Sequence, residues 1–204
     1  QRTLSFLYGE QRWTASLIYQ TGKIVLQAFD QTAELSFVKQ EQGVYRIILN
    51  SQQYTFHTLM QSGDEFIASN KLYGGSINQF NHSYKNFGWT PKWADPDDLS
   101  TFEAALTSKT KAIFIESIAN PGGVVTDIAG IAAIAKKAGV PLIVDNTLAT
   151  PYLIKPFEHG ANIVVHSATK FLGGHGNSIG GLIVDGGNFD YVSSGKYPML
   201  STPR

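Results

Sequence analysis

Three short apolar runs each end on side chains suited to holding or transforming a small charged ligand. Ile113-Phe114-Ile115 leads into Glu116-Ser117-Ile118-Ala119-Asn120-Pro121-Gly122-Gly123, Leu142-Ile143-Val144 into Asp145-Asn146-Thr147, and Ile163-Val164-Val165 into His166-Ser167-Ala168-Thr169-Lys170. In an open α/β sheet, ligands bind beyond the carboxyl ends of the strands, so an acid, a lysine and two hydroxyls are expected to converge on one edge. The 204-residue chain has no cysteine, which removes disulfides, thiolate metal sites and thiol nucleophiles. His166 and His175 lack a metal-ligand pattern and read as structural, and no metal site is expected. Gly173-Gly174 and Gly180-Gly181 read as tight turns, because no G-x-G-x-x-G follows a strand here.

The elements that must position these residues follow from hydrophobic periodicity. Strands are predicted at Glu65 to Ser69, Thr90 to Ala94, Lys111 to Glu116, Pro141 to Asn146, Asn162 to His166 and Gly181 to Asp185. Helices are predicted from Ser76 to Asn86, Pro96 to Leu106 and Asp127 to Lys137, the last with Thr126-Asp127 as its N-cap and Ile128, Ile131, Ile134 and Ala135 at helical spacing. Uninterrupted apolar strands indicate burial on both faces, as in a mainly parallel sheet flanked by helices.

The first part of the chain has a different rhythm. Leu4, Phe6 and Tyr8 alternate, as do Trp13, Ala15, Leu17 and Tyr19, then Ile24, Leu26 and Ala28, then Leu35 and Phe37, then Tyr45, Ile47 and Leu49. Turn signals fall at Gly9-Glu10, Thr21-Gly22, Gln42-Gly43 and Asn50-Ser51. Residues 1–55 thus read as a small antiparallel all-β module, and residues 56–204 as part of an α/β domain.

Sixteen basic residues balance sixteen acidic ones, so no global field draws the chain to nucleic acid or an anionic membrane. The longest apolar stretches, Ile128 to Ala138 and Pro141 to Val144, are far too short to span a bilayer, and no signal-peptide pattern opens the chain. A cytoplasmic home is the expectation. The sequence starts at Gln1 rather than methionine, and is expected to be a piece of a longer product.

Four spaced runs, Lys71-Leu72-Tyr73-Gly74-Gly75-Ser76, Glu116 to Gly123, Val144-Asp145-Asn146-Thr147 and Ser167 to Gly176, resemble in their order the landmarks of the Cys/Met-metabolism enzymes of fold type I, which use pyridoxal phosphate. The likeness runs from about Phe56 to the C-terminus. Asn78-Gln79-Phe80 and Ser167-Ala168-Thr169-Lys170-Phe171-Leu172-Gly173-Gly174-His175-Gly176 are similar to the O-acetylhomoserine sulfhydrylase branch. The resemblance implies part of a PLP-dependent transferase large domain, an amino-acid substrate, and a homo-oligomer, a tetramer in the family. It implies γ-replacement on O-acetyl-L-homoserine by sulfide, giving L-homocysteine and acetate. γ-Lyases and γ-synthases share the Lys170, Asp145 and Tyr73 pattern and stay open as alternatives.

By the same resemblance Lys170 forms the Schiff base with the cofactor, which calls for a desolvated amine able to add to a carbonyl and shuttle the substrate's α-proton. Asp145 holds the pyridine nitrogen protonated; a unit pair near 3 Å at an effective dielectric of 20 interacts by roughly 5 kcal/mol gross. Otherwise Asp145 is a cap or turn residue. Tyr73 stacks on the ring and assists leaving-group elimination, or else is a buried aromatic. Ser167 and Thr169 donate to the phosphate, Asn120 reaches the phenolic oxygen or the substrate, and Thr147 touches the ring; turn and cap chemistry is their common alternative.

The chain departs from the family at both ends. The Tyr-x-Arg segment, the Ser-Gly loop that cups the phosphate, and the C-terminal arginine that clamps the substrate carboxylate have no counterpart here. Cofactor binding is expected to be weaker without a helix N-terminus at the phosphate. Residues 1–55 faintly resemble the β-domain of biotin-dependent acyl-CoA carboxylases, without a Met-Lys-Met site, and the seam is expected to join two gene fragments or a mis-joined frame. A non-enzymatic chimeric fragment is therefore the other reading of the whole chain.

Overall fold

Two rhythms in the sequence correspond to two units, Gln1–Leu59 and Met60–Arg204. The computed structural model describes residues 63–201, except the side chains of Met199 and Ser201, and the backbone of six strands before them. Those six are β1 (Arg2–Tyr8), β2 (Gln11–Gln20), β3 (Lys23–Ala28), β4 (Gln31–Lys39), β5 (Val44–Leu49) and β6 (Gln52–His57). Each pairs antiparallel with the next, in sequence order. The turn signals between them, and Thr58-Leu59-Met60, lie outside the described residues.

The second unit holds β7 (Glu65–Ser69), β8 (Thr90–Ala94), β9 (Thr110–Glu116), β10 (Leu142–Asp145), β11 (Ile163–Ser167) and β12 (Gly181–Asp185), in the order β12-β11-β10-β9-β7-β8. All neighbouring pairs are parallel except β11 and β12. Side chains alternate across a strand, so each central strand feeds two cores. Ile113, Ile115, Leu142, Val144 and Val164 point to one face, where they pack with Phe102 of α2 (Leu99–Ala105) and with Ile128, Ile131, Ile134 and Ala135 of α3 (Ile128–Ala138). Ala112 and Phe114, with Ile143, point to the other, where they meet Phe66, Ala68, Leu72 and Phe80.

Local chemistry explains where the helices start and stop. Asp98 and Asp127 cap α2 and α3, accepting the N–H of Ser100 and Gly130, donors that a helix's first turn leaves unpaired. Gly139, with φ of 65°, closes α3 in the left-handed region that glycine enters without strain. The helix predicted from Ser76 to Asn86 is instead three pieces: α1 (Gly74–Asn78), a π-helical stretch Gln79–Ser83, and a 3₁₀ turn Tyr84–Phe87. This segment carries Phe80 and Tyr84 onto an aromatic cluster with Phe66, Trp93 and Phe114, and packing of those rings outweighs regular helical geometry. Short helical turns at Thr150–Leu153, Pro156–His159, Tyr191–Ser194 and Pro198–Ser201 had no periodic signal. Among the described residues no helix is long and apolar enough to cross a membrane.

Candidate active site

Register brings the site together. Asp145 pairs with Glu116 on one side and with Val165 on the other, and Ser167 lies two residues beyond Val165. Period two therefore puts Glu116, Asp145 and Ser167 on one face of the sheet, at the carboxyl ends of β9, β10 and β11. Tyr73, Asn120, Asp145, Thr147, Ser167, Thr169 and Lys170 all line a single cavity of about 690 Å³, together with Glu116. His166 falls between two of them in sequence and points to the opposite face. It is buried, outside the cavity, and its Nδ1 has no partner among the described residues. No group of three or more His, Asp or Glu side chains that could hold a metal occurs among the described residues.

The end of β10 is wired to the end of β11. Asp145 Oδ1 accepts the Thr147 N–H at 2.9 Å and the Thr147 hydroxyl at 2.5 Å. The same Thr147 oxygen accepts the Ser167 N–H at 2.8 Å. Asp145 is thus a turn-forming aspartate through one oxygen, while Oδ2 accepts no hydrogen bond from the described residues. Asn146, on the other face and fully buried, locks the loop: its Oδ1 accepts from Ser117 Oγ at 2.7 Å and its Nδ2 donates to Ile154 O at 3.0 Å.

Tyr73 is 53% exposed with its ring on the cavity wall, so it is not a core aromatic. Thr169 is committed to turn chemistry: its hydroxyl donates to Gly180 O at 3.2 Å and accepts the Gly180 N–H at 3.0 Å. Ser167 Oγ is uncommitted among the described residues. Lys170 is exposed, as is every residue from Phe171 to Asn188. The desolvation expected around its amine is therefore not supplied by the described residues, because the loop that carries it stands away from both cores.

The glycines divide. Gly174 and Gly176 have φ of 74° and 66° and do turn the chain, and a Cβ on Gly173 would lie 2.6 Å from Ala168 O. Gly180-Gly181 differ from the expectation: they lead straight into β12, where Gly181 pairs with Ser167.

Glu116 is the site residue that motif reading did not single out. It is 5% exposed; Oε1 accepts the Tyr73 N–H at 2.7 Å and Oε2 the Asn120 N–H at 2.8 Å. Burial pushes its carboxyl above the ordinary range, the two N–H donors pull it back, and the neighbouring Asp145 carboxylate adds to the rise. The signal that locates it is the shared period-two face with Asp145 and Ser167.

Such a constellation offers an anionic oxygen, an amine, a free hydroxyl and an aromatic face around one space. The model of the Cys/Met metabolism PLP-dependent enzymes matches residues 33–199, starting ahead of the expected boundary near Phe56. A sulfhydrylase of Gibberella moniliformis is 48% identical over 155 residues, covering 75% of this chain and 36% of that protein. An O-acetyl-L-homoserine sulfhydrylase of Leptospira meyeri is 34% identical over 213 residues, covering 91% of this chain and 48% of that protein. The chain thus spans less than half the length of either relative. Among solved structures, a Campylobacter jejuni protein assigned as an O-acetylhomoserine (thiol)-lyase, containing N'-pyridoxyl-lysine-5'-monophosphate, superposes with a TM-score of 0.68 and 39% identity, over 72% of this chain and 36% of that one.

Proposed function

We propose, since the chain belongs to the family of Cys/Met metabolism PLP-dependent enzymes, that its cavity serves γ-replacement on O-acetyl-L-homoserine by sulfide, giving L-homocysteine and acetate for methionine and cysteine biosynthesis. The Cγ–O bond to acetate breaks, a Cγ–S bond to sulfide forms, and the proton lost from Cα is returned. The observation that carries this reading is the convergence of Lys170, Asp145, Tyr73, Ser167, Thr169, Asn120 and Thr147 on one cavity. The names of the Leptospira and Campylobacter relatives direct the choice of substrate.

Pyridoxal phosphate fits the donors present. Its ring, when bound, withdraws electrons from the substrate's α-carbon. Asp145 Oδ2, which accepts no hydrogen bond from the described residues, would hold a proton on the ring nitrogen, while Oδ1 keeps the Thr147 turn intact. The exposed Tyr73 ring offers a stacking face, and its hydroxyl a proton for the leaving group. Lys170 Nζ attaches the cofactor and carries the α-proton. Ser167 Oγ would donate to the phosphate, and Thr169 would join it on turning its hydroxyl away from Gly180 O; Asn120 would orient the phenolic oxygen or the substrate. Among the described residues Lys170 is the one cation lining the cavity, against the two carboxyls of Glu116 and Asp145, so this lining does not by itself neutralise a phosphate dianion.

The same reading includes a cytoplasmic homo-oligomer. Tyr152, outside the cavity lining, is a strongly exposed aromatic side chain, which a second copy would cover. Sedimentation of the chain is expected to show more than a monomer.

Adding pyridoxal phosphate to the expressed chain and recording near-visible absorbance tests the cofactor step. A band present in the unaltered chain and absent from Lys170→Ala supports it; no band in the unaltered chain overturns it. Homocysteine formed from O-acetyl-L-homoserine and sulfide tests the substrate. A keto acid released without sulfide would place the chain with the γ-lyases, and condensation with cysteine with the γ-synthases.

A further inference from the structure

We infer that Glu116 is a positioning residue whose carboxylate clamps the turn carrying Tyr73 to the turn carrying Asn120, and so fixes two walls of the cavity relative to Asp145. The inference rests on the reading of that cavity as a pyridoxal-phosphate site.

Both oxygens are occupied, each by a backbone N–H from a different segment: Tyr73, 43 residues away in sequence, at 2.7 Å, and Asn120 at 2.8 Å. The Tyr73 hydroxyl and the Asn120 side-chain amide make no hydrogen bond with the described residues, so side-chain bonds do not place either group. Their backbones place them, and Glu116 holds both backbones. The anchor is itself fixed: the Thr126 hydroxyl donates to Glu116 O at 2.7 Å, and the next N–H, of Ser117, donates to Asp145 O at 2.9 Å. Glu116 is buried, so water does not readily replace either bond.

The geometry requires this side chain. Glutamine offers one acceptor and turns an N–H₂ against the second N–H; aspartate is one methylene shorter and does not span both turns. The plainer alternative is that Glu116 only ends β9 tidily, in which case its loss would loosen the whole domain.

Two measurements separate these. In the chain without cofactor, Glu116→Gln is expected to speed amide exchange at Tyr73 and Asn120 by roughly tenfold, with Ile113 and Val144 unchanged. Uniform acceleration across the sheet, or no acceleration at the two turns, overturns the clamp. In the chain with pyridoxal phosphate, Glu116→Gln is expected to weaken cofactor binding roughly tenfold when Tyr73 is present and no more than about twofold in a Tyr73→Ala background. Equal losses in both backgrounds overturn the positioning of Tyr73. If the unaltered chain shows no Lys170-dependent band, the cofactor reading fails on its own, and amide exchange still decides whether Glu116 joins the two turns.

Discussion

The ends of β9 and β10 place two carboxylates side by side in register, Glu116 and Asp145, and the surroundings give them opposite duties. Glu116 is buried, with both oxygens bound to backbone N–H groups of distant turns. Asp145 is half-buried and lines the cavity, with one oxygen turned back on its own loop and the other accepting no hydrogen bond from the described residues. A saturated carboxylate organises its neighbourhood; an unsaturated one keeps capacity for a ligand. Both are carboxyls at paired strand ends, so the difference arises from one methylene of side-chain length and from which loops arrive.

The largest expected effect separates charge from turn geometry at Asp145. Asp145→Asn keeps an oxygen for the Thr147 N–H and removes the negative charge that a protonated ring nitrogen needs. Cofactor affinity, followed through the Lys170-dependent band, should fall roughly 100-fold, or about 2.7 kcal/mol, while the unfolding midpoint barely moves. A large loss of stability instead would make Asp145 mainly a turn residue and erase the contrast with Glu116.

The two strand ends are also joined through Asn146, on the opposite face. Asn146→Ala removes the bonds to Ser117 and Ile154 and leaves a buried hydroxyl and a half-buried carbonyl unpaired. A destabilisation of about 2 kcal/mol in urea unfolding is expected. A value near zero would show that the two ends are positioned independently.

Much of this was legible in the sequence because it is local. The six strands of the second unit lie within two residues of their predicted ends, since apolar triplets followed by polar residues mark a buried strand leaving the sheet. Alternation alone puts Asp145 and Ser167 on one face and His166 on the other. What could not be read depends on contacts distant in sequence. The bond from Glu116 to a backbone N–H 43 residues away has no side-chain signature at Tyr73. Phe80 and Tyr84 are compatible with a regular helix until the rings of Phe66 and Phe114 claim them. Desolvation of Lys170 was inferred from chemistry, and chemistry does not say how far a glycine-rich loop stands from the core.

A pH experiment sharpens the contrast between the carboxyls further. Burial raises the Glu116 carboxyl above its ordinary value of 4.5, with the Asp145 charge adding to the rise. Because the folded-state value is the higher one, the folded chain binds more protons than the unfolded chain just above pH 4.5. Glu116's contribution to stability is therefore full below pH 4.5 and declines as pH rises through the folded-state value. Measured against Glu116→Gln, which cancels the other groups, the unaltered chain should lose relative stability as pH rises from about 4 to 7. A difference independent of pH would mean that the two N–H bonds offset burial, leaving Glu116 as an ordinary carboxylate.

The smallest expected effect lies in the loop that follows Asp145. Thr150, a β-branched residue, has φ of 57°, a left-handed conformation that costs such a side chain roughly 1–3 kcal/mol. The turn persists because the Thr150 N–H donates to Asn146 O at 2.9 Å, and Asn146 is itself locked between Ser117 and Ile154. Glycine enters this conformation freely but loses about 0.5–1 kcal/mol more backbone entropy on folding. Thr150→Gly should therefore stabilise the chain by about 1 kcal/mol, read as a higher unfolding midpoint, with exchange at the Ser117 and Asn146 amides unchanged. If relieving the strain instead frees the Asn146 loop and weakens cofactor binding, the strain itself holds Asp145 against the cavity, and the end of β10 depends on its loop as much as the end of β9 depends on Glu116.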